Sequence, residues 1–269
     1  MPERENPRRA PSRGRARATP QPADRGPRGA GGPRGPRGRV RAQLSLEAVL
    51  GGAIELLDTE GETGLTFRGL AARLGGGVGS LYWYVRSKEQ LISLATDAIV
   101  GRAADEVEAA NLPVTDDIDV RLASLRLMGT TLFTHLDAHP WAATTMLRST
   151  EVESNSLRFF ELAGQQLLPL GLTKTQLFHG ISAFMNYVIG TGGQMAYQEA
   201  PPVASGQPQG QQEYFDDMVD RWAHLDPEQF PFVHRIVTEF RDHDDFLQFT
   251  AGLDLILDGL RRQAEAARP

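Results

Sequence analysis

The feature that most restricts the fold of this chain is a spacing of apolar residues that repeats every three or four positions. Its first clear occurrence consists of Leu46, Val49, Leu50, Ala53, Ile54 and Leu57. Side chains at these steps lie on one face of an α-helix, and the alternation of a half-buried strand is almost absent. The same spacing predicts further helices over about 116–138, 153–168, 213–224, 227–241 and 244–266, with another around 177–189. The sequence therefore predicts an all-α fold.

Residues 1–42 differ in composition from the rest of the chain. They consist mainly of Pro, Gly, Arg and Ala, and up to residue 41 they hold 12 arginines against three acidic residues. Since the whole chain has 28 basic and 34 acidic residues, the remainder is strongly acidic. A segment with so few large apolar side chains cannot offset the entropy lost on ordering, so we expect a disordered arm. Two roles remain open: a solvated tail, or nonspecific contacts with nucleic-acid phosphates.

The absence of cysteine and of long apolar segments excludes several classes of protein. The chain has no cysteine, which excludes disulfides, thiol catalysis and cysteine-based zinc sites. No apolar stretch reaches the roughly 18 residues of a membrane-spanning helix. Arg8 and Arg9 are not followed by the hydrophobic region of a twin-arginine export signal. We therefore expect a soluble, cytoplasmic protein without a membrane partner.

Two short helices joined by a tight turn are predicted after the first helix, which we expect to end in the segment 58–64. Thr66 can cap the first of the two, and Gly75–Gly77 separate it from a second one at about 78–84. Ser87 begins a Ser-x-x-Gln capping box, which predicts the start of a long fourth helix. This arrangement is typical of a helix-turn-helix.

The run from Leu65 to Lys88, LTFRGLAARLGGGVGSLYWYVRSK, resembles the DNA-binding region of TetR-family transcriptional regulators without a gap. Its most specific part is the string Leu81–Val85 followed by Arg86-Ser87-Lys88, which is similar to the tetracycline-repressor branch. The segment 249–260 also resembles the closing dimerisation helix of that branch. The resemblance implies a three-helix DNA-binding domain at 43–93 and a helical effector-binding and dimerisation domain at 94–269.

The resemblance also implies which side chains contact double-stranded operator DNA. A recognition helix reads base edges in the major groove through its N-terminal half, where Ser80 is the clear hydrogen-bonding group. Arg68 matches a base-reading arginine, and Tyr82 has the alternative of packing between helices. Hydroxyl and ammonium groups near the helix ends match phosphate contacts, which set register and not sequence. The implied contact residues are Thr66, Arg68, Val78, Gly79, Ser80, Tyr82, Trp83, Tyr84 and Lys88.

Three glycines and one tyrosine in this region differ from the family pattern. Gly76 and Gly77 replace an apolar residue and a polar cap, and Gly79 lies inside the recognition helix. Each interior glycine costs a helix about 1 kcal/mol relative to alanine. We therefore hypothesise a recognition helix that is frayed in the free protein and ordered on DNA. Tyr84 replaces the usual histidine, which leaves the operator sequence open.

The family resemblance places a small-molecule pocket among the C-terminal helices. Met, aromatic and polar residues at helical spacing are its candidates, although such residues are often plain core. The candidates are Met128, His135, Met146, Phe160, His179, Phe184, Met185, Asn186 and Tyr187. His135, Asp137 and His139 have the spacing of a metal site, but histidines near a helix end before Pro140 are commonly surface residues, so we expect no metal. No cofactor is expected either.

The last helix is apolar over an arc wide enough for two partners. One partner is its own core, and the second is either another copy of the chain or further core of the monomer. The resemblance favours a homodimer whose interface residues are Phe249, Leu253, Ile256, Leu257 and Leu260.

These expectations combine into one predicted function, a sequence-specific transcriptional regulator, by family default a repressor released from a palindromic operator by a small effector. The long fourth helix is the expected lever between pocket and DNA. An enzyme is not expected, because no nucleophile elbow, phosphate-binding loop or dinucleotide fingerprint occurs. The alternative is a nonspecific nucleic-acid-binding protein that acts through its arginine-rich arm.

Overall fold

A computed structural model describes residues 44–113, 115–149, 153–198, 211–241 and 244–268. The predicted arm at 1–42 lies outside the described residues, as does nearly all of the loop predicted at 200–212.

Within the described ranges the secondary structure is helical, with no strand. The all-α prediction is therefore confirmed. Short 3₁₀ segments at Leu168–Leu170 and Val237–Phe240 supplement eleven α-helices. The helices are α1 (Leu46–Gly64), α2 (Phe67–Arg73), α3 (Val78–Leu81), α4 (Lys88–Ala109), α5 (Ile118–Ala138), α6 (Pro140–Arg148), α7 (Ser154–Leu167), α8 (Lys174–Gln198), α9 (Gln211–Ala223), α10 (Pro231–Ile236) and α11 (Asp245–Ala267).

Side-chain caps open the helices that position the N-terminal domain. Oγ of Ser45 accepts a hydrogen bond from the Ala48 N–H at 3.1 Å, and Thr66 caps α2 in the same way. Oγ of Ser87 accepts from the Gln90 N–H, while the Gln90 side chain accepts from the Arg86 N–H at 2.7 Å. The predicted caps are confirmed, and each satisfies backbone donors that the first turn leaves unpaired.

The predicted stop of the first helix within 58–64 agrees with a break at Gly61, whose φ of +68° is not helical, although α1 is assigned through Gly64. Two other predicted boundaries are wrong. The recognition helix α3 ends at Leu81 instead of Tyr84, and residues 82–84 form turns. Its cap residue Gly77 offers no side-chain acceptor, and Gly79 weakens the single turn that forms. The helix expected over 227–241 is α10 followed by a 3₁₀ segment.

The main core is formed where α5 packs against α4, α8 and α11. Its largest fully buried side chains include Phe133, Phe159, Phe184 and Phe249, and the rings of Phe133 and Phe249 stack with centroids 3.8 Å apart. Helix α6 packs on α8, and α7 packs on α4. A separate small cluster joins α9 to the 3₁₀ segment after α10 through buried Phe215, Met218, Val219 and Val237.

The last helix buries residues that the sequence assigned to a dimer interface. Phe249, Leu253, Leu257 and Leu260 belong to the chain's own core, and Ile256 is partly buried against it. Their apolar arc packs on α5 and α8 of the same chain, and the assignment of these residues to a dimer interface stays a prediction. The exposed large apolar residues of α11 are Phe246 at 46%, Leu247 at 65% and Leu255 at 72%.

Among the helices that the structure describes, none combines the length and the apolar character needed to cross a bilayer.

Candidate nucleic-acid interface and ligand cavity

The turn between α2 and α3 is shaped by its first glycine. Gly75 has a φ of +65°, in the left-handed region that glycine adopts without a steric cost. The Gly76 N–H bonds the Ala71 carbonyl at 2.9 Å, which closes α2. Leu70 and Leu81, one from each helix, are fully buried beneath the turn. The two helices are thereby held as a helix-turn-helix unit.

The outer surface of this unit presents large side chains to solvent. Trp83 is 88% exposed and Tyr82 is 57% exposed, although the Tyr82 ring also packs edge-on against Phe67 at 5.0 Å. Arg68 and Gly79 are exposed as well, and Arg68 makes no ion pair with any residue in the described part of the chain. An exposed indole and an exposed guanidinium in one helix-turn-helix unit are suited to contacts with bases and phosphates.

Four predicted contact residues already use their polar groups within the fold. The Tyr84 hydroxyl donates to the Leu44 carbonyl, and the Lys88 ammonium donates to the Glu62 carbonyl. Oγ of Ser80 donates to the Gly77 carbonyl at 2.5 Å, and the Thr66 hydroxyl is the cap acceptor of α2. The half-buried Tyr84 therefore has a structural function at the start of α1, where the sequence prediction had a DNA contact. Lys88 and Ser80 keep further hydrogen-bonding capacity.

A cavity of about 360 Å³ lies among α4, α6, α7 and α8. Three residues predicted for an effector site line it: Met146, Phe160 and Met185. The other lining residues, which the sequence analysis did not identify as pocket residues, are Ser93, Thr96, Asp97, Thr145, Ser149, Glu153, Ser156, Leu157 and Ile189. Thr96 and Asp97 are buried polar residues within an otherwise apolar face of α4, and this was the available sequence signal.

Four of the remaining effector candidates have other positions and contacts. Met128 and Phe184 are fully buried in the main core, which explains their apolar character without a ligand. His179 and Asn186 are exposed on α8. None of these four residues lines the cavity, and their assignment to an effector site stays a prediction.

Two further effector candidates are engaged in polar contacts between helices. Nε2 of His135 lies 3.1 Å from a carboxylate oxygen of Glu106. The Tyr187 hydroxyl donates to the Phe249 carbonyl at 3.0 Å, and burial raises the pKa of that hydroxyl. Neither residue lines the cavity, and these two assignments also stay predictions.

Carboxylates are the charged groups of the cavity wall. Asp97 accepts four hydrogen bonds at 2.8–3.1 Å from the backbone and side chains of Asn155 and Ser156, and it thereby holds the first turn of α7. Glu153 accepts from the Ser93 hydroxyl at 3.2 Å. No Lys, Arg or His is among the residues described as lining the cavity. The wall is mostly apolar, with acidic groups near the start of α7.

Helix α6 connects the cavity to α1. Its residues Thr145 and Met146 line the cavity, while the Trp141 indole N–H donates to Asp58 of α1 at 2.7 Å. Nδ1 of His139 lies 2.8 Å from the same Asp58 oxygen. Arg148, at the other end of α6, pairs with Glu62 of α1. His135 and His139 thus contact different carboxylates, and no group of potential metal ligands occurs in the described part of the chain.

The comparison with known families agrees with this geometry. Residues 49–95 match the family described as "Bacterial regulatory proteins, tetR family". Residues 118–264, more than half of the chain, match "Tetracyclin repressor-like, C-terminal domain". The chain belongs to the TetR family. The family prediction made from residues 65–88 is confirmed, and so is its function as a DNA-binding transcriptional regulator.

Individual TetR-family regulators are similar over most of the chain. The solved structure of SCO7222, a TetR from Streptomyces coelicolor, is 35% identical, covers 82% of this chain and 99% of that one, and superposes with a TM-score of 0.68. The "HTH-type transcriptional repressor DrrR1" of Streptomyces coeruleorubidus is 28% identical over 83% of this chain and 82% of its own length. An "HTH-type transcriptional regulator" of Saccharopolyspora erythraea is 33% identical over 57% of this chain, and the match spans only 61% of that regulator.

Proposed function

We propose that this TetR-family protein is a homodimeric repressor that leaves a palindromic operator when a small molecule fills the cavity. The observation that carries the proposal is the position of the cavity on two helices that both reach the DNA-binding unit. Residues 43–93 form that unit in the proposal, and residues 94–269 form the effector-binding and dimerisation domain.

The α2–α3 surface supports operator recognition. Arg68 and Trp83 are both exposed within the family motif, and α3 presents Val78, Gly79 and Ser80 at the start of the recognition helix. In the proposal these residues enter the major groove, while Thr66, Tyr82 and Lys88 contact the backbone. Two recognition units related by a two-fold axis then read half-sites about one helical turn, roughly 34 Å, apart.

Two routes connect the cavity to this surface. Helix α4 begins at Lys88, directly after the helix-turn-helix, and reaches the cavity at Ser93 and Thr96, a rise of about 12 Å along the helix from Lys88 to Thr96. Helix α6 lines the cavity and holds α1 through Trp141 and Arg148. A ligand that displaces α6 or α4 would therefore move α1 together with the recognition unit. That displacement changes the half-site spacing and releases the operator.

The exposed apolar residues of α8 and α11 support the dimer. Phe178 of α8 is 65% exposed, and Leu247 and Leu255 of α11 are exposed to a similar degree. Exposed apolar residues on two neighbouring helices of one chain are suited to burial against a second copy. In the proposal these residues replace the interface predicted from sequence.

Selection of binding sites from a randomised duplex pool tests the proposed function. We expect the full chain to enrich a palindrome, and a variant without residues 1–42 to enrich the same palindrome with a weaker salt dependence. Binding without sequence preference, lost on removal of residues 1–42, would contradict the proposal and favour the alternative based on the arm. In the proposal the cavity binds its ligand without catalysing a reaction. The protein then acts in the cytoplasm, at the nucleoid.

A further inference from the structure

We propose that the cavity selects a largely apolar molecule without negative charge that carries a hydrogen-bond-accepting carbonyl group. In this proposal the Thr96 hydroxyl donates to the carbonyl, and Asp97 with Glu153 excludes anions. The inference rests on the proposed function of the cavity as the effector site.

Thr96 is the residue proposed to donate the hydrogen bond to the ligand. It is 4% exposed and lines the cavity, and its hydroxyl is the buried side-chain polar group without a hydrogen-bond partner among the described residues. An unpaired buried hydroxyl is costly, so such a group marks a place where a partner is expected. Thr145, on the opposite wall, differs because its hydroxyl donates to the Trp141 carbonyl at 2.9 Å.

The ligand would accept a hydrogen bond from the O–H group of Thr96. Threonine in a helix commonly donates to the carbonyl four residues earlier, as Thr145 does, and Thr96 makes no such bond. Its neighbour Asp97 is saturated by four hydrogen bonds from Asn155 and Ser156 and accepts nothing from Thr96. A carbonyl oxygen, which only accepts, is the complement of this free hydroxyl.

The charge of the wall determines what is excluded. Asp97 and Glu153 both line the cavity, and the residues described there provide no cationic side chain to balance a bound anion. Charges interact more strongly in a partly desolvated cavity than in water, so an anionic ligand is repelled. Asp97 is saturated by its four hydrogen bonds, whereas Glu153 accepts one from Ser93 and keeps further acceptor capacity. The acidic wall therefore selects against anions.

The remaining wall is apolar and adaptable. Met146 and Met185 supply flexible thioether chains, and Leu157, Phe160 and Ile189 supply the other large surfaces. Such a lining accommodates a flat or irregular apolar body and leaves orientation to the few polar groups. The Thr96 hydroxyl is then the group that orients the ligand.

A matched pair of probes tests the inference on the full-length protein. A methoxynaphthyl methyl ketone and the corresponding methoxynaphthoate share one ring system and differ in an acetyl or a carboxylate group. By isothermal titration calorimetry we expect the ketone to bind at least about tenfold more tightly than the carboxylate, because only the latter is repelled by the acidic wall. We expect Glu153→Gln to reduce this difference by improving carboxylate binding.

Thr96→Val removes the hydroxyl while retaining the shape of the side chain. We expect it to weaken ketone binding about two- to tenfold, the range for one neutral hydrogen bond, and to raise the melting temperature of the ligand-free protein. The matched control is Thr250→Val, because the buried Thr250 lies outside the cavity and its hydroxyl donates to Leu247 at 3.0 Å. The control should not change ketone affinity and should not raise the melting temperature.

The outcomes separate this inference from the proposed function. Equal ketone affinity in Thr96→Val and wild type, a carboxylate that binds as tightly as the ketone, or no ketone binding by wild type would each overturn the inference. Met185→Trp, which fills the cavity, identifies the site. If Met185→Trp abolishes ketone binding while Thr96→Val does not affect it, the effector cavity stands and only the Thr96 assignment fails. Ketone binding that survives Met185→Trp would contradict both proposals.

Discussion

Large apolar side chains of the helix-turn-helix unit are exposed to water, and burying them against a partner would be favourable. Trp83 is the clearest example, since its ring is almost entirely exposed while Leu81 and Val85 beside it are fully buried. Aromatic rings this exposed contribute little to folding, and they are frequent where proteins contact nucleic acids or other proteins. The DNA-binding function and the stability of this domain should therefore respond to different residues.

Trp83→Ala should weaken operator binding by about five- to 150-fold, the effect of losing one good contact of roughly 1–3 kcal/mol. The melting temperature should stay nearly constant, because the ring makes few contacts within the fold. Fluorescence anisotropy with a labelled operator measures the first effect and calorimetry the second. Phe232→Ala is the matched control, since Phe232 of α10 is also strongly exposed but lies outside the helix-turn-helix. Equal losses in both variants would contradict a specific function for Trp83.

Asp137 gives the protein a predicted pH dependence. Desolvation of the carboxylate, and then the charge of Asp245, raise the pKa of Asp137 above its ordinary value. A raised pKa means that the folded state holds this proton more tightly, so stability is highest below the unfolded-state pKa and falls as the pH rises through the folded pKa. Asp137→Asn should therefore be more stable than wild type at neutral pH and equally stable in acid. Urea unfolding at several pH values tests this, and a pH-independent difference would contradict it.

Helix α3 is the element with the weakest intrinsic stability in the DNA-binding unit. It has a single turn, an N-cap without a side-chain acceptor, and a glycine in its interior. A Cβ added at Gly79 would meet nothing within 4 Å, whereas Gly75 has a left-handed φ that disfavours any side chain. The two glycines therefore have opposite roles, one weakening a helix and the other forming a turn.

Gly79→Ala should stabilise the free protein by up to about 1 kcal/mol and increase amide protection across residues 76–85. Gly75→Ala should destabilise it by a similar amount, because alanine is strained at positive φ. Hydrogen exchange with mass spectrometry, with and without operator DNA, measures both. Full protection of this segment in the wild type without DNA would contradict the hypothesis of a frayed recognition helix.

The helix caps and the cavity show why some features of the fold can be predicted from the sequence and others cannot. The caps at Ser45, Thr66 and Ser87 could be predicted because a cap is made by residues three positions apart. The cavity could not, because its wall combines four helices, and a local pattern does not show which helices become neighbours. For the same reason, periodicity identifies the apolar arc of α11 but not which side of that arc a second chain covers.

The chain is proposed to form a homodimer, and dimer formation can be tested without DNA. Leu255→Glu introduces a charge at an exposed apolar position of α11, where it should not disturb the chain's own core. We expect sedimentation to show a monomer with an unchanged helical content and a greatly weakened affinity for a palindromic operator, because a monomer reads a single half-site. Trp83→Ala should remain dimeric. A dimeric Leu255→Glu would place the interface elsewhere.

Regulation belongs to the whole molecule because it requires cavity and operator to respond to each other. The Trp141 indole N–H bond to Asp58 joins the cavity helix α6 to α1, so its removal should weaken this coupling without altering either site. We expect Trp141→Phe, which keeps an aromatic ring, to retain operator affinity and ligand affinity while requiring more ligand for release. Trp222→Phe, in the separate α9 cluster, is the matched control and should behave as wild type. If ligand released Trp141→Phe as readily as wild type, α4 alone would carry the signal, and the connection between α6 and α1 would be structural only.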